Sequence, residues 1–546
     1  MRRFQLPLAL LLATSACQVP FLGSRTPVYY EIGVVHRAIS TDSSEAQLWF
    51  DRGLALNFGF NHEEALACYA RAAEADPDCA MIDWGIAYAH GTNYNAPSMS
   101  PAASEAAWEA LQRALGKLEG ASPVERDLIH ALEARYAWPA PEDRGELELA
   151  YADAMRSVSA AHPDDADVQA LLAEALMQLK PWALWSPEGE PADELHEIRA
   201  VIEAGLERWP SHPALCHLYI HAMEAGPDVA QALPAAQRLE ELTPGLGHLV
   251  HMPSHIYAWT GDYADVVRVN VEAVALDDAY VEHAGRANTY TGYRIHNYHF
   301  VAYGGMWDGQ RDLALEYARR IADELPPAMV ANAADTFEAF LATPYHVMVR
   351  FGMWDAILDE PEPAPEHLAT RAVWRYARGV ALASLGRVEE ARAEQTAFLA
   401  AKEAVPASRR LFGNSMADIL GVGEAVLAGE LAYRAGEKER GFEHLREAVR
   451  LDELLNYDEP WGWMEPARHA LGALLTADGR YREALEVYAA NLERYPENGW
   501  ALRGTAECQR ALGWNEYADI TEQAFARVWE RADVEIPGSC YCRVDP

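Results

Sequence analysis

The residues best equipped for chemistry are histidines crowded into the middle of the chain. Of 19 histidines in 546 residues, eight fall on a recurring pattern: His217, His221, His248, His251, His255, His296, His299 and His346. Within each local group the intervals are three, four or seven, which place side chains on one stripe of an α-helix. The offsets from His217 to His251 and from His221 to His255 are both 34 residues. Imidazole ligates zinc, copper, nickel and iron, and two histidines four apart on a helix grip one ion from the same side. A crowd of imidazoles also demands compensation, from metal, from carboxylates or from protonation. Glu224 completes a two-histidine, one-carboxylate set with His217 and His221, which suits iron or zinc with open positions. Several histidines without thiolates suit copper. The expected cofactor is therefore one or two divalent transition metals, copper, zinc or iron. If the metal acts on a small substrate, Glu224 and Tyr303 are the expected acid and base. The competing readings are a peptide groove lined by aromatic and histidine side chains, and a hydrogen-bonded structural network.

Those histidines need helices to hold them, and the punctuation of the chain supplies many short ones. Half of the residues are hydrophobic, and glycine and proline recur between helical patterns. The segment FDRGLALNFGFNHEEALACYARAAEADP from Phe50, and GRYREALEVYAANLERYP from Gly479, share a small residue in a first helix, a turn, then alanine and aromatic positions in a second helix, and a closing proline. Similar units begin at Gly261, Gly309, Gly352 and Gly386. These units resemble the tetratricopeptide repeat (TPR), a helical hairpin of about 34 residues whose apolar faces are covered by its neighbours. The resemblance implies an all-α, superhelical solenoid of TPR-type hairpins, with longer connections near 91–104, 181–193 and 279–293.

In that family, positions 2, 5, 9, 12 and 13 of the first helix face the concave groove. With the turn glycines Gly261, Gly309 and Gly352 at position 15, His248, His251 and His255 fall at 2, 5 and 9, His296 and His299 at 2 and 5, Tyr303 at 9, and His346 at 9. The preceding unit places His217, His221 and Glu224 at 5, 9 and 12. His217 and His221 are thus expected opposite His251 and His255. The strings FNHEEAL, DWGIAYAHGTNYN, GHLVHMPSHIY, HNYHFVAY and NGWALRG further resemble a group of exported bacterial TPR proteins, a resemblance that implies fold and export but no activity.

Other candidates have plainer readings. Trp461 to His469 forms a far wall of the groove or packs between C-terminal repeats. Tyr88, His90, Asn93, Tyr94 and Asn95 make a polar loop at the N-terminal end, and His62 a turn contact. Ser254 beside Pro253 reads as a cap. HExxH, a phosphate-binding loop, a dinucleotide fingerprint and a nucleophile elbow are all absent.

The formal charge of −38 excludes phosphate-backbone recognition, so no nucleic-acid partner is expected; a metal ion, and a small molecule or peptide, are. Arg2 and Arg3, the apolar run Leu6 to Ala13 and Thr14-Ser15-Ala16-Cys17 read as a secretory signal over 1–17, too short for a permanent span. Cys17 resembles the lipidated cysteine of bacterial lipoproteins, with Thr14 where leucine is usual. Export to the periplasm or outer surface, with membrane contact only through that lipid, is the expectation. The organisation read from sequence is a signal at 1–17, an N-terminal segment at 18–45, repeats at 46–210, the histidine-lined repeats at 211–360, C-terminal repeats at 361–535 and a cysteine-containing tail at 536–546. Six further cysteines, Cys68, Cys79, Cys216, Cys508, Cys540 and Cys542, are free to pair in an oxidising compartment. Cys540-Tyr541-Cys542 reads as a redox or metal-binding tail, a terminal bridge or two free thiols.

Overall fold

The computed structural model describes residues 26–543, so the signal segment and Cys17 lie outside the described residues. It is an all-α solenoid of antiparallel hairpins, from Ser44–Phe58 with His62–Ala75 at one end to Gly499–Ala511 with Asn515–Val528 at the other. Among the described residues the only sheet is a two-residue ribbon, Arg410–Leu411 with Asn414–Ser415. No described helix is long and apolar enough to cross a membrane.

Local chemistry sets the hairpins. Ser43 and Asn61 accept from the backbone N–H of Ala46 and Glu64, satisfying donors that the first turn leaves open. Ser122 and Glu125 form a reciprocal capping box. Gly261 and Gly309 end their helices in the left-handed conformation, φ 88° and 74°, which a side chain would resist. Within the stack, the Tyr69 ring fills the space where Gly53 and Gly85 lack a Cβ, and Tyr488 does the same between Gly472 and Gly504. The same aromatic-on-glycine lock thus joins neighbouring hairpins near both ends of the chain.

The chain departs from simple stacking in the middle. The helix Tyr263–Ala284 runs 22 residues, through part of the stretch expected as a connection, so the link to the next hairpin is only Gly285 to Tyr290. After Gly352 the second helix is short, Trp354–Asp359. The C-terminal repeats then fold back on the turns of the central ones. Backbone or side chains of Pro496, Trp529 and Tyr541 sit where Cβ atoms would stand on Gly261, Gly309 and Gly352. The Trp500 indole N–H donates to the Met306 carbonyl at 2.9 Å, and Asp533 accepts from the N–H groups of Arg311 and Asp312. The expected open groove is therefore closed in part by the chain's own C-terminal repeats.

Candidate metal centre

The site rests on first helices of three consecutive hairpins: Pro213–Met223; Gly247–His251 continued past Met252 by Pro253–Thr260; and Thr291–Asp308. Every residue of the Pro213 helix is buried. Pro253 stands at the join of the two short segments, where proline lacks the N–H that would extend the first hydrogen-bond ladder. His217, His221, His248, His251, His255 and His296 are all buried, His296 being the most exposed at 9%.

They form two trios. Ligand-capable nitrogens of His217, His221 and His248 lie within 4.8 Å of one another, as do those of His251, His255 and His296. The pairing matches the expected one in part: His221 and His255 face each other across Glu224, and ligand atoms of these three also lie within 4.8 Å of one another. His248, at the start of its helix, joins His217 and His221, whereas His251 and His255 join His296 of the following hairpin. The helix from Gly247 therefore divides its histidines between two sites, because three residues advance the chain about 4.5 Å along the axis.

The hydrogen bonds fix how the first trio is presented. His217 Nδ1 lies 2.9 Å from the Phe58 carbonyl, which only accepts, so Nδ1 carries the proton and Nε2 a lone pair. His221 Nδ1 and Glu224 Oε1 share a hydrogen bond at 2.8 Å. Nε2 of His217, Nε2 of His221 and both nitrogens of His248 are buried without a partner. Burying imidazole nitrogens unpaired costs about 1–3 kcal/mol each. Histidines that spend one nitrogen on a carbonyl or carboxylate and aim the other at a common point have the construction of a metal site. Burial, reinforced at His221 and His248 by neighbouring imidazoles, holds all three basicities down, His217 to about 3, so they stay neutral and ligand-competent at neutral pH.

In the second trio the Asn270 amide donates to the Val266 carbonyl and turns Oδ1 to His251 Nδ1 at 2.6 Å. That leaves the His251 Nε2 lone pair facing His255 Nε2 at 2.7 Å. His255 Nδ1 meets two carboxylates, Glu224 Oε2 at 2.7 Å and Glu459 Oε1 at 3.0 Å. Burial opposes protonation of His255, but Glu459 and Glu224 overcome it and raise its pKa to about 10. Burial and the Glu459 charge push Glu224 well above the carboxylate range. The three groups thus hold protons jointly, and a cation entering at Nε2 would displace the one on that nitrogen.

Above the trios lies a cavity of about 1930 Å³. His221, Glu224, His248, His255, His296 and Glu459 line its floor, and half-exposed Trp182 and Phe412 stand at its mouth. Phe60 seals one side, its ring 4.7, 5.9 and 5.4 Å from those of His217, His221 and His248. Phe60 has φ 56°, the left-handed position that glycine holds at Gly261 and Gly309. A bulky residue there is strained by about 1 kcal/mol or more, which its packing on the histidines must offset.

The remaining expected residues lie elsewhere. His299 packs on Phe340 at 5.3 Å, and His346 stands 3.7 Å from Glu465 and beside Trp463, outside both trios. Tyr303 packs against Trp307, seven residues and about 10 Å of helix beyond His296, so it does not reach the second trio as an acid or base. Glu224 does reach the centre, with both oxygens already engaged by histidines. Glu459, Asn270 and Phe60 escaped the sequence reading. Asn270 left one signal, a polar residue on the apolar stripe of Val266, Val269 and Ala273, all buried.

Residues 46–79, spanning the first hairpin, match the tetratricopeptide repeat family. No curated protein matches the chain. Among solved structures, the human IFIT1 dimer with m7Gppp-AAAA is 11% identical over 78% of this chain and 87% of its own, with a TM-score of 0.31. The APC/C hetero-tetramer Cut9-Hcn1 is 12% identical over 90% of this chain and 76% of its own, also at 0.31. Neither score reaches 0.5, so neither neighbour bears on the site.

Proposed function

We propose that this protein is a metalloprotein that binds two transition-metal ions side by side, one through His217, His221 and His248 and one through His251, His255 and His296. The observation that carries the reading is that His217, His221 and His248 bring ring nitrogens within 4.8 Å of one another while each keeps a buried nitrogen without a hydrogen-bond partner. All-imidazole sets favour copper, zinc or iron over magnesium or calcium, which prefer oxygen. Three protein ligands leave a coordination position free for a small molecule arriving from the cavity. A metal bound there supplies Lewis acidity, and copper or iron also electron transfer.

The chain's own residues would do the rest. Glu224 orients one histidine of each trio, Asn270 sets the tautomer of His251, and Phe60 keeps water from the first trio. A peptide scaffold is the second reading, favoured by the TPR-type fold. Against it, Phe60 and Glu459 pack directly on the histidines, and the C-terminal repeats lie on the turns of the central hairpins. The proposed location is an exported one with a lipid on Cys17, supported by the signal-like residues 1–17 alone; labelling with radioactive palmitate, lost on Cys17→Ser, tests it.

Elemental analysis of the protein purified from its native host, beside His248→Ala, tests the metal reading. Near-stoichiometric copper, zinc or iron, reduced in the variant, supports it. Folded protein without metal that also refuses all three ions would leave the scaffold.

A further inference from the structure

A second set of ligand-type side chains lies far along the chain, where the tail returns to the C-terminal repeats. Glu430, Cys540 and Cys542 bring a carboxylate oxygen and two sulfurs within 4.8 Å of one another. Glu430 belongs to the helix Met416–Arg434 and is 3% exposed, with Oε2 buried and without a hydrogen-bond partner. Cys542 is 1% exposed. The two cysteines are joined as a disulfide, while Cys68, Cys79, Cys216 and Cys508 are free and buried.

The tail is fastened there by specific contacts. Ser539 Oγ donates to the His469 carbonyl at 2.8 Å and meets the Tyr488 hydroxyl at 2.8 Å. The Arg434 guanidinium donates to the Cys542 carbonyl, and the Tyr541 ring packs over Gly352. Arg434, on the same helix, is thus engaged with backbone, and Glu430 Oε2 is left without a hydrogen-bond partner. A buried carboxylate oxygen with no partner is costly in a purely structural role. Two thiolates and a carboxylate, in contrast, make a ligand set for a divalent ion of borderline softness, of which zinc is the commonest, with a fourth position for water.

We propose that Glu430, Cys540 and Cys542 form a redox-gated zinc site, separate from the histidine centre. A dithiol reductant opens the disulfide: the Cys540–Cys542 bond gains two electrons and two protons, and the reductant becomes a disulfide. Zinc then binds as the two thiols release their protons. In the reverse direction one thiolate attacks a disulfide oxidant and expels a thiolate, the second attacks the protein sulfur of the resulting mixed disulfide and expels another, and the two expelled thiolates take up two protons. The Cys540–Cys542 bond re-forms, and the metal is left with a single carboxylate and departs. The compartment's thiol poise therefore sets whether the tail carries metal.

Cobalt(II) is the test probe, because sulfur ligation gives it an intense thiolate-to-metal charge-transfer band that imidazole ligands cannot produce. The full-length protein is titrated anaerobically with cobalt, before and after reduction by a dithiol that is then removed, and zinc is added to displace it. The expected result is one equivalent of sulfur-ligated cobalt in the reduced protein, none in the oxidised protein, none in Cys540→Ser/Cys542→Ser, and at least tenfold weaker binding in Glu430→Gln. No band in the reduced protein, or a band that persists in the double serine variant, overturns the proposal. Equal affinity in folded Glu430→Gln removes the carboxylate from the site and overturns the assignment as stated. Far-ultraviolet circular dichroism checks that each variant folds.

Discussion

Glu224 joins the two trios, since one carboxylate oxygen holds His221 and the other holds His255. Glu224→Ala should weaken metal binding at both sites by about 10- to 100-fold, the usual effect of losing an orienting partner. Competition against a calibrated chelator checks this, and an unchanged affinity would make the carboxylate incidental. Protonation provides a second test at this scale. His217 and His299 are each held at about 3 by burial, against an ordinary value of 6.5. Between those values the unfolded chain binds more protons than the folded one, so stability is fully present above pH 6.5 and is lost as pH falls towards 3. Each group contributes about 1.4 kcal/mol per pH unit across that window. Denaturation midpoints of metal-free protein should therefore fall steadily from pH 7 to pH 4, and less steeply in His217→Gln. The histidines were legible because their chemistry and helical spacing are local. Glu459, more than 200 positions from His255, left no such trace, and only the fold brings them to 3.0 Å.

At the scale of the element, glycine and proline explain what was legible. Gly261, Gly309 and Gly352 mark turns because the left-handed backbone there is a local requirement, and the hairpin register follows from them. What that register could not supply was the sharing of one helix between two sites, which depends on how neighbouring helices slide and tilt. Phe60 is the element-scale test. Phe60→Ala should destabilise the protein by about 3 kcal/mol through the cavity it opens over the histidines. It should also speed metal loss from the first trio while leaving the second unchanged. Stopped-flow chelation resolves the two, and identical release rates in variant and parent would show that the ring is no seal.

On the scale of the whole molecule, a repeat pattern specifies contacts between neighbours, and the closure of the solenoid on itself is therefore invisible in it. Trp500 illustrates the point: it is fully buried only because its indole reaches Met306 and the Arg350 guanidinium lies 3.7 Å over its ring. Trp500→Ala should cost about 3–5 kcal/mol and raise amide exchange in the helix Thr291–Asp308, which carries His296. Unchanged exchange there would mean that the C-terminal repeats do not support the centre. The net charge of −38 adds a long-range attraction for cations, so metal uptake should slow as salt is raised from low to physiological strength.

The most direct test of the central claim is calorimetric titration of metal-free protein with copper and with zinc, comparing the parent with His217→Ala, His251→Ala and the double variant. Two bound ions in the parent, one in each single variant and none in the double variant would match two trihistidine sites. A folded parent that binds no metal, or a double variant that still binds two ions, would contradict them.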